Sequence, residues 1–349
     1  MLFEIAGREI AAGHPLFVVA EIGLNHGGHL DAALALVDAA AAAGAAAVKL
    51  QTLHAERLVA PSCPPPQHVR AASLVDFFRQ FELDEQAHRA VAARARSRGL
   101  AFISTPFDEA AVELLERVGC DAFKIASGDL THLQLVERVA RSRRPMILST
   151  GMAELEEVGE ALECARGAGA VELAILHCVS AYPVPAGHEN LAAISTLART
   201  FGVPVGLSDH GVDELAPAIA VALGGAIYER HIVAADGVDA VDQAVSSTPA
   251  GLARAIALAE RARRAIGDGR KTCLPIEEPN RVPSRRALYA SRPIPVGTVL
   301  QATDLVALRP LAGIDARLWR SVIGQTAVRP VAPGTPVQAD DLGGSPCDA

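Results

Sequence analysis

Hydrophobic and polar positions follow a regular rhythm along this chain. A short apolar run ends in polar or charged residues, and an Ala/Leu-rich stretch with helical spacing follows it. The apolar runs fall at 17–23, 46–52, 100–105, 121–127, 145–150, 172–178, 204–210 and 226–233. Eight β segments alternating with helices over about 250 residues predict an α/β fold, a (β/α)8 TIM barrel. A doubly wound open sheet is the alternative, but it usually has fewer strands and a glycine-rich first turn, and no G-x-G-x-x-G follows 17–23.

The flanking pattern divides the rest. Residues 1–13 alternate apolar and polar and predict a hairpin-like lid at one barrel end. Residues 53–82 are long and proline-rich (S-C-P-P-P) and read as an extended loop over the barrel mouth. A helix over about 250–266 ends at Gly267, which places the barrel domain at 1–267. Residues 268–284, rich in Gly, Pro and charge, read as a linker. From 285 to 349 short β runs alternate with turn signals, predicting a small, mostly β domain. Two of its phrases, I-P-V-G-T-V-L-Q-A-T-D-L and V-A-P-G-T-P-V-Q-A-D-D-L, look like an internal repeat.

Composition narrows the class. The 349 residues are half hydrophobic, enough for one large domain and a small one. A net charge of −8 argues against a nucleic-acid or membrane-surface partner. The six scattered cysteines form no C-x-x-C pair and no signal peptide precedes them, which fits unpaired thiols in a reducing cytoplasm. Lys49, Lys124 and Lys271 are the only lysines among 32 basic residues. Lysine is a compact point charge with a tunable pKa, so Lys49 and Lys124, both near predicted strand ends, are candidates for chemistry. Lys271 lies in the linker and reads as solvated.

Barrel enzymes place their reactive groups at the C-terminal strand ends. Here those ends offer Glu21; Lys49 and Gln51; Ser104 and Thr105; Lys124, Ser127 and Asp129; Ser149 and Thr150; His177, Ser180 and Tyr182; Ser208, Asp209 and His210; Glu229 and His231. Two lysines with a ring of hydroxyls and nearby glycines suit a phosphate monoester, although any single Ser or Thr here reads equally as an ordinary strand-end hydroxyl. Lys124 lies within an apolar strand and is costly to bury unless paired. His210 and His231 close successive strands, so a parallel sheet brings both imidazoles to one edge. As a pair they could share a divalent ion; either alone reads as an ordinary strand-end residue. With two protein ligands, water and substrate oxygen would complete the shell, the arrangement of a Lewis-acid site. Glu21 is a candidate general acid/base or a salt-bridge partner for a barrel lysine. Tyr182 could stack or donate in the pocket, or pack under the long loop. Asp242 could accept a substrate hydroxyl or be solvated.

The phrases A-E-I-G-L-N-H-G-G, V-K-L-Q-T, S-T-P-F, F-K-I-A-S-G-D-L, I-L-S-T-G-M, H-C-V-S-A-Y-P, G-L-S-D-H and E-R-H, in this order, resemble the sialic acid synthase family. That family includes N-acetylneuraminate synthases and relatives that make legionaminic, pseudaminic and other nonulosonic acids. The C-terminal segment, with L-R-P-L-A-G-I, is similar to the family's antifreeze-like (SAF) domain. The resemblance implies condensation of phosphoenolpyruvate with an N-acylated amino sugar, N-acetylmannosamine or a related 2,4-diacetamido sugar, releasing phosphate. It implies that Lys49, Thr105, Lys124, Ser127, Ser149, Ser180 and Ser208 bind phosphoenolpyruvate, and that His210 and His231 hold a divalent metal, manganese with magnesium or cobalt as alternatives. Glu21 matches the proposed acid/base, and Asp129, Tyr182 and Asp242 match sugar contacts. Arg309 matches an arginine sent into the partner's active site, implying a domain-swapped homodimer. Some N-acetylneuraminate synthases have asparagine at the place of Ser180 and glutamate at that of Asp129. L-R-P-L-A-G-I also differs from the commoner R-P-G-x-G-I. These departures bear on the sugar more than on the reaction. Three alternatives stand: a Schiff-base aldolase using Lys124 or Lys49, a synthase acting on a phosphorylated sugar, and a catalytically inert carbohydrate-binding protein.

Overall fold

The computed structural model describes residues 3–63, 72–235, 237 and 239–343. The chain divides into two compact units, Met1–Gly267 and Asp268–Ala349.

The first unit opens with an antiparallel pair, β1 (Phe3–Ile5) and β2 (Arg8–Ile10). Eight parallel strands follow: β3 (Phe17–Gly23), β4 (Ala47–Thr52), β5 (Ala101–Pro106), β6 (Ala122–Ile125), β7 (Met146–Ser149), β8 (Leu173–Cys178), β9 (Val205–Asp209) and β10 (Ile227–His231). They close in chain order, β10 pairing with both β9 and β3. This is the TIM barrel that the eightfold rhythm predicts.

Strand side chains alternate across the sheet, and the alternation builds two cores. Outward-facing Val18, Ala20, Val48, Phe102, Phe123, Leu148, Ile175 and Leu207 pack against the helices. The helix Leu30–Ala42 shows the matching pattern, burying Ala33, Leu36, Val37 and Ala40. Inward-facing Val19, Ala47, Ile103, Ala122, Ile147, Leu176 and Ile227 fill the lower barrel, joined by Phe3, Ile5 and Ile10 of the hairpin. The hairpin therefore closes the end at which the strands begin. Two residues further along, the inward positions of most strands turn polar, and the site is built there.

Residues 53–82 hold more structure than the extended loop expected. Helices Ala55–Leu58 and Leu74–Arg79 form within them, the second capped by Ser73, whose Oγ accepts from Asp76 N. Phe77, Phe78 and Phe81 pack with Leu24 and Leu53 as a small separate core. That local apolar anchor holds the described residues 73–81 in place. Pro64–Pro66 lie outside the described residues. The expected linker likewise contains a short helix, Glu278–Ser284, behind a 3-10 turn at Pro275–Glu277.

The second unit pairs β11 (Ala287–Ala290) with β12 (Leu305–Leu308) over a core of Leu288, Ile294, Leu300, Val322, Val331, Val337 and Leu342. The repeated phrases occupy equivalent places. Ile294 and Val331 exchange both backbone hydrogen bonds, and Gly297 N donates to Ala327 O as Gly334 N donates to Ala290 O. Gln301–Asp304 and Gln338–Asp341 form the same side-chain cap.

Candidate active site

The C-terminal strand ends enclose a cavity of about 260 Å3. Its wall follows from the strand period: Glu21 stands two residues after Val19, Lys49 after Ala47, Thr105 after Ile103, Lys124 after Ala122, Ser149 after Ile147 and Glu229 after Ile227. The same parity carries His231 above Glu229 and His210 above Ser208.

Four buried charges occupy its floor. Glu229 Oε1 accepts from Lys124 Nζ at 2.8 Å and Ser208 Oγ at 3.1 Å, with Lys49 Nζ at 3.7 Å. Lys49 Nζ lies 2.8 Å from Glu21 Oε2 and donates to Thr105 Oγ1 at 3.2 Å. Gln51 Nε2 donates to Glu21 Oε1 at 3.1 Å. Glu21 thus has the salt-bridge partner anticipated as its plainer reading, and the pair lies inside the cavity. Burial would raise the Glu229 carboxyl, but Lys124 and Lys49 outweigh it and hold it down at about 2. At Glu21 burial wins over Lys49, and the carboxyl is pushed above its ordinary range. Burial also lowers the Lys124 ammonium. Two carboxyls driven in opposite directions within one cavity are a feature of acid–base sites.

The hydroxyls line one side. Ser127 Oγ accepts from Gly151 N at 3.0 Å. A Cβ at Gly151 would stand 2.2 Å from Ser180 Oγ and 2.8 Å from Ser127 Oγ, so only glycine lets these groups converge. Ser149 and Ser208 complete the wall.

Above them the rings of His210 and His231 lie 5.7 Å apart, and Tyr182 stacks on His210 at 4.2 Å. His210 Nδ1 faces Val179 O at 3.2 Å. A carbonyl only accepts, so this bond places the proton on Nδ1 and leaves the Nε2 lone pair free. His231 Nδ1 is buried without a hydrogen bond; Asp242 Oδ2 lies 3.4 Å away. Burial pushes the His231 imidazole down to about 4, so it is neutral. Two imidazoles converging on one cavity fit a divalent ion. Among the described residues no group of three or more His, Cys, Asp or Glu side chains could hold one. Water and substrate oxygen would therefore supply the rest of the shell.

Of the sugar-end candidates, Tyr182 lines this cavity. Asp242 lines a larger adjoining one of about 1090 Å3, together with Asn25, Gln51, Tyr182 and His231. Asp129 sits half-buried in the turn Ser127–Asp129, off both walls. Arg309 is exposed in the second unit, at a cis bond to Pro310. His177 turns away and bonds Glu189 O at 2.7 Å. Glu229 and Gln51 stood in the strand-end inventory without a role, although Glu229 proves central. The available signal was its parity with His231. Cys178 and Met152, also on the wall, carried no distinguishing pattern.

A closed parallel barrel with this charged floor, hydroxyl wall and histidine pair at its strand ends is the arrangement of an enzyme active site. Residues 36–271 match the NeuB family and residues 285–343 the SAF domain, and the chain belongs to the NeuB family. It is a nonulosonic acid synthase of that family, a phosphoenolpyruvate-condensing enzyme, and enzymes of the family are generally metal-dependent. It is 33% identical to the N,N'-diacetyllegionaminic acid synthase of Campylobacter jejuni over 319 residues, covering 89% of this chain and 96% of the relative. To the pseudaminic acid synthase of Helicobacter pylori it is 31% identical over 334 residues, covering 94% and 98%. The crystal structure of the N-acetylneuraminic acid synthetase of Leptospira borgpetersenii in complex with citrate superposes with a TM-score of 0.73 at 31% identity, covering 80% of this chain and 95% of that one. No helix among the described residues is long and apolar enough to cross a membrane.

Proposed function

We propose that this enzyme joins phosphoenolpyruvate to an unphosphorylated N-acylated amino sugar, N-acetylmannosamine or a related 2,4-diacetamido sugar, with C–O cleavage and release of phosphate. The observation that carries this is the Glu21–Lys49–Glu229–Lys124 array directly beneath the His210 and His231 imidazoles. Lys49 and Lys124 supply charge to phosphate and carboxylate, and Thr105, Ser127, Ser149, Ser180 and Ser208 supply neutral donors. Tyr182 and Asp242 serve the sugar; Asp129, off both walls, is left without a sugar contact. The adjoining cavity has Asp239 and Asp242 and no lysine or arginine among its described lining residues, which disfavours a sugar phosphate.

His210 and His231 would hold the divalent ion, manganese first, with magnesium or cobalt as alternatives. When bound, the ion supplies Lewis-acid polarisation of the sugar aldehyde. The lysines and hydroxyls hold C3 of phosphoenolpyruvate against that aldehyde, so that approach geometry supplies much of the acceleration. As the C–C bond forms, Glu21, whose carboxyl is raised, gives a proton to the aldehyde oxygen. Positive charge develops at C2 above the Glu229 carboxylate. Water adds at C2 and returns a proton to the Glu21 carboxylate, and the tetrahedral carbon collapses to the C2 carbonyl, expelling phosphate with its bridging oxygen and the remaining hydroxyl proton. Arg309, exposed in the second unit, reaches the partner's site in a domain-swapped homodimer, a reading supported by the family resemblance of L-R-P-L-A-G-I.

The test is phosphate release from phosphoenolpyruvate with manganese against N-acetylmannosamine, 2,4-diacetamido-6-deoxy sugars and sugar phosphates. Release with one N-acyl sugar, abolished by EDTA and by His231→Ala, with oxygen-18 from water at the product's C2 oxygen, is expected. Release only with a sugar phosphate, or chelator-insensitive turnover with borohydride trapping of a lysine, would replace this reading.

A further inference from the structure

Behind the histidines, on the helix-facing side of the same strands, lies a second buried polar cluster for which the reaction has no use. Asp209 precedes His210 and Arg230 precedes His231, so the strand period turns both away from the cavity. Neither lines it. Asp209 is 4% exposed and Arg230 6%. Arg230 Nη1 lies 2.9 Å from Asp209 Oδ2 as an ion pair without a hydrogen bond, and Asp209 Oδ2 accepts from Tyr228 OH at 2.8 Å. Asp209 Oδ1 accepts from Gly211 N at 2.8 Å, so one carboxylate ties down the chain on both sides of His210. Arg230 Nε donates to Ser247 Oγ at 3.1 Å, and Ser247 N donates to His231 O at 2.8 Å.

The position in the ladder gives this cluster its meaning. The β9–β10 pairing runs from Gly206 with Ile227 to Asp209 with Arg230 and stops there. The histidines stand immediately past that last rung, where the ladder no longer sets their separation. A buried ion pair is a poor way to gain stability, because apolar side chains of similar volume hold two strands as well. What the directed bonds around the pair add, from Tyr228 OH and Gly211 N to Asp209 and from Arg230 Nε to Ser247, is orientation. Outer groups of this kind aim metal ligands.

We propose that the Asp209–Arg230 pair, oriented by Tyr228 and Ser247, is a positioning device that sets the spacing and direction of His210 and His231 for a divalent cation. This rests on the reading that those two histidines hold the ion.

The experiment is calorimetric titration of the full chain with Mn2+, alongside phosphoenolpyruvate binding measured in EDTA. His210→Ala and His231→Ala should abolish Mn2+ binding. Arg230→Met should weaken it by about 10–100-fold, and Tyr228→Phe and Ser247→Ala severalfold, with phosphoenolpyruvate affinity in EDTA unchanged. Should Arg230→Met fail to fold, the two milder variants decide. Wild-type Mn2+ affinity in the folded variants, with binding lost in the histidine variants, would overturn the positioning role alone. An equal fall in phosphoenolpyruvate affinity would also overturn it, by showing general loosening. Retained Mn2+ binding in both histidine variants would remove the site reading itself.

Discussion

Glu229 gathers two ammonium groups and a hydroxyl around one buried carboxylate, and its replacement exposes the logic of the site. Glu229→Gln leaves Lys124 buried without its counter-charge and should destabilise the barrel by about 3–5 kcal/mol, read by urea unfolding. The pH dependence follows from the sign of the shift. The folded carboxyl is held at about 2, below its ordinary value of 4.5. The proton-linked stabilisation is fully present above the ordinary value and fades as pH falls through the folded one. The gap between wild type and Glu229→Gln should therefore narrow as pH falls from about 4.5 to about 2; a constant gap would contradict the pairing. At the opposite wall, Gly151→Ala would push Ser127 and Ser180 apart. Its KM for phosphoenolpyruvate should rise by about tenfold for each hydrogen bond lost, with little change in melting temperature. Lys49 and Lys124 were legible as unusual residues because the chain otherwise uses arginine. Their partners were not, since Glu229 lies 105 positions from Lys124 and no local pattern links them.

At the scale of elements, the hairpin β1–β2 separates folding from catalysis. Phe3, Ile5 and Ile10 are buried at 0–1% exposure beneath the lower barrel, far along the strands from the reactive groups. Ile5→Ala should cost about 2–5 kcal/mol in unfolding free energy while leaving kcat for phosphate release intact; a parallel fall in kcat would show that the lower barrel is coupled to the site. The sequence pattern placed this hairpin at a barrel end but could not choose which, because alternation specifies a face and not its neighbour. The barrel strands were legible because each couples a period of two to a helical segment. The stretch 53–82 reads as an extended loop because its prolines dominate the composition, while Ser73 and the three phenylalanines shape residues 73–81 through a cap and a separate core.

At the scale of the whole molecule, the prediction concerns assembly. Mixing Arg309→Ala subunits with His210→Ala subunits should restore part of the activity that each lacks, because one site of the heterodimer would then be intact. No recovery from a confirmed heterodimer would count against the exchange of arginines. By itself the sequence determined the barrel, the order of its strands, the second domain and the polar character of the strand ends, since periodicity and strand-end chemistry are local properties written in consecutive residues. Tertiary structure alone decided which carboxylate meets which lysine, that Glu21 is raised while Glu229 is held down, and that Asp209 and Arg230 join behind the histidines. Those outcomes depend on closing eight strands in register, which brings together residues distant along the chain in an interior where burial and charge compete.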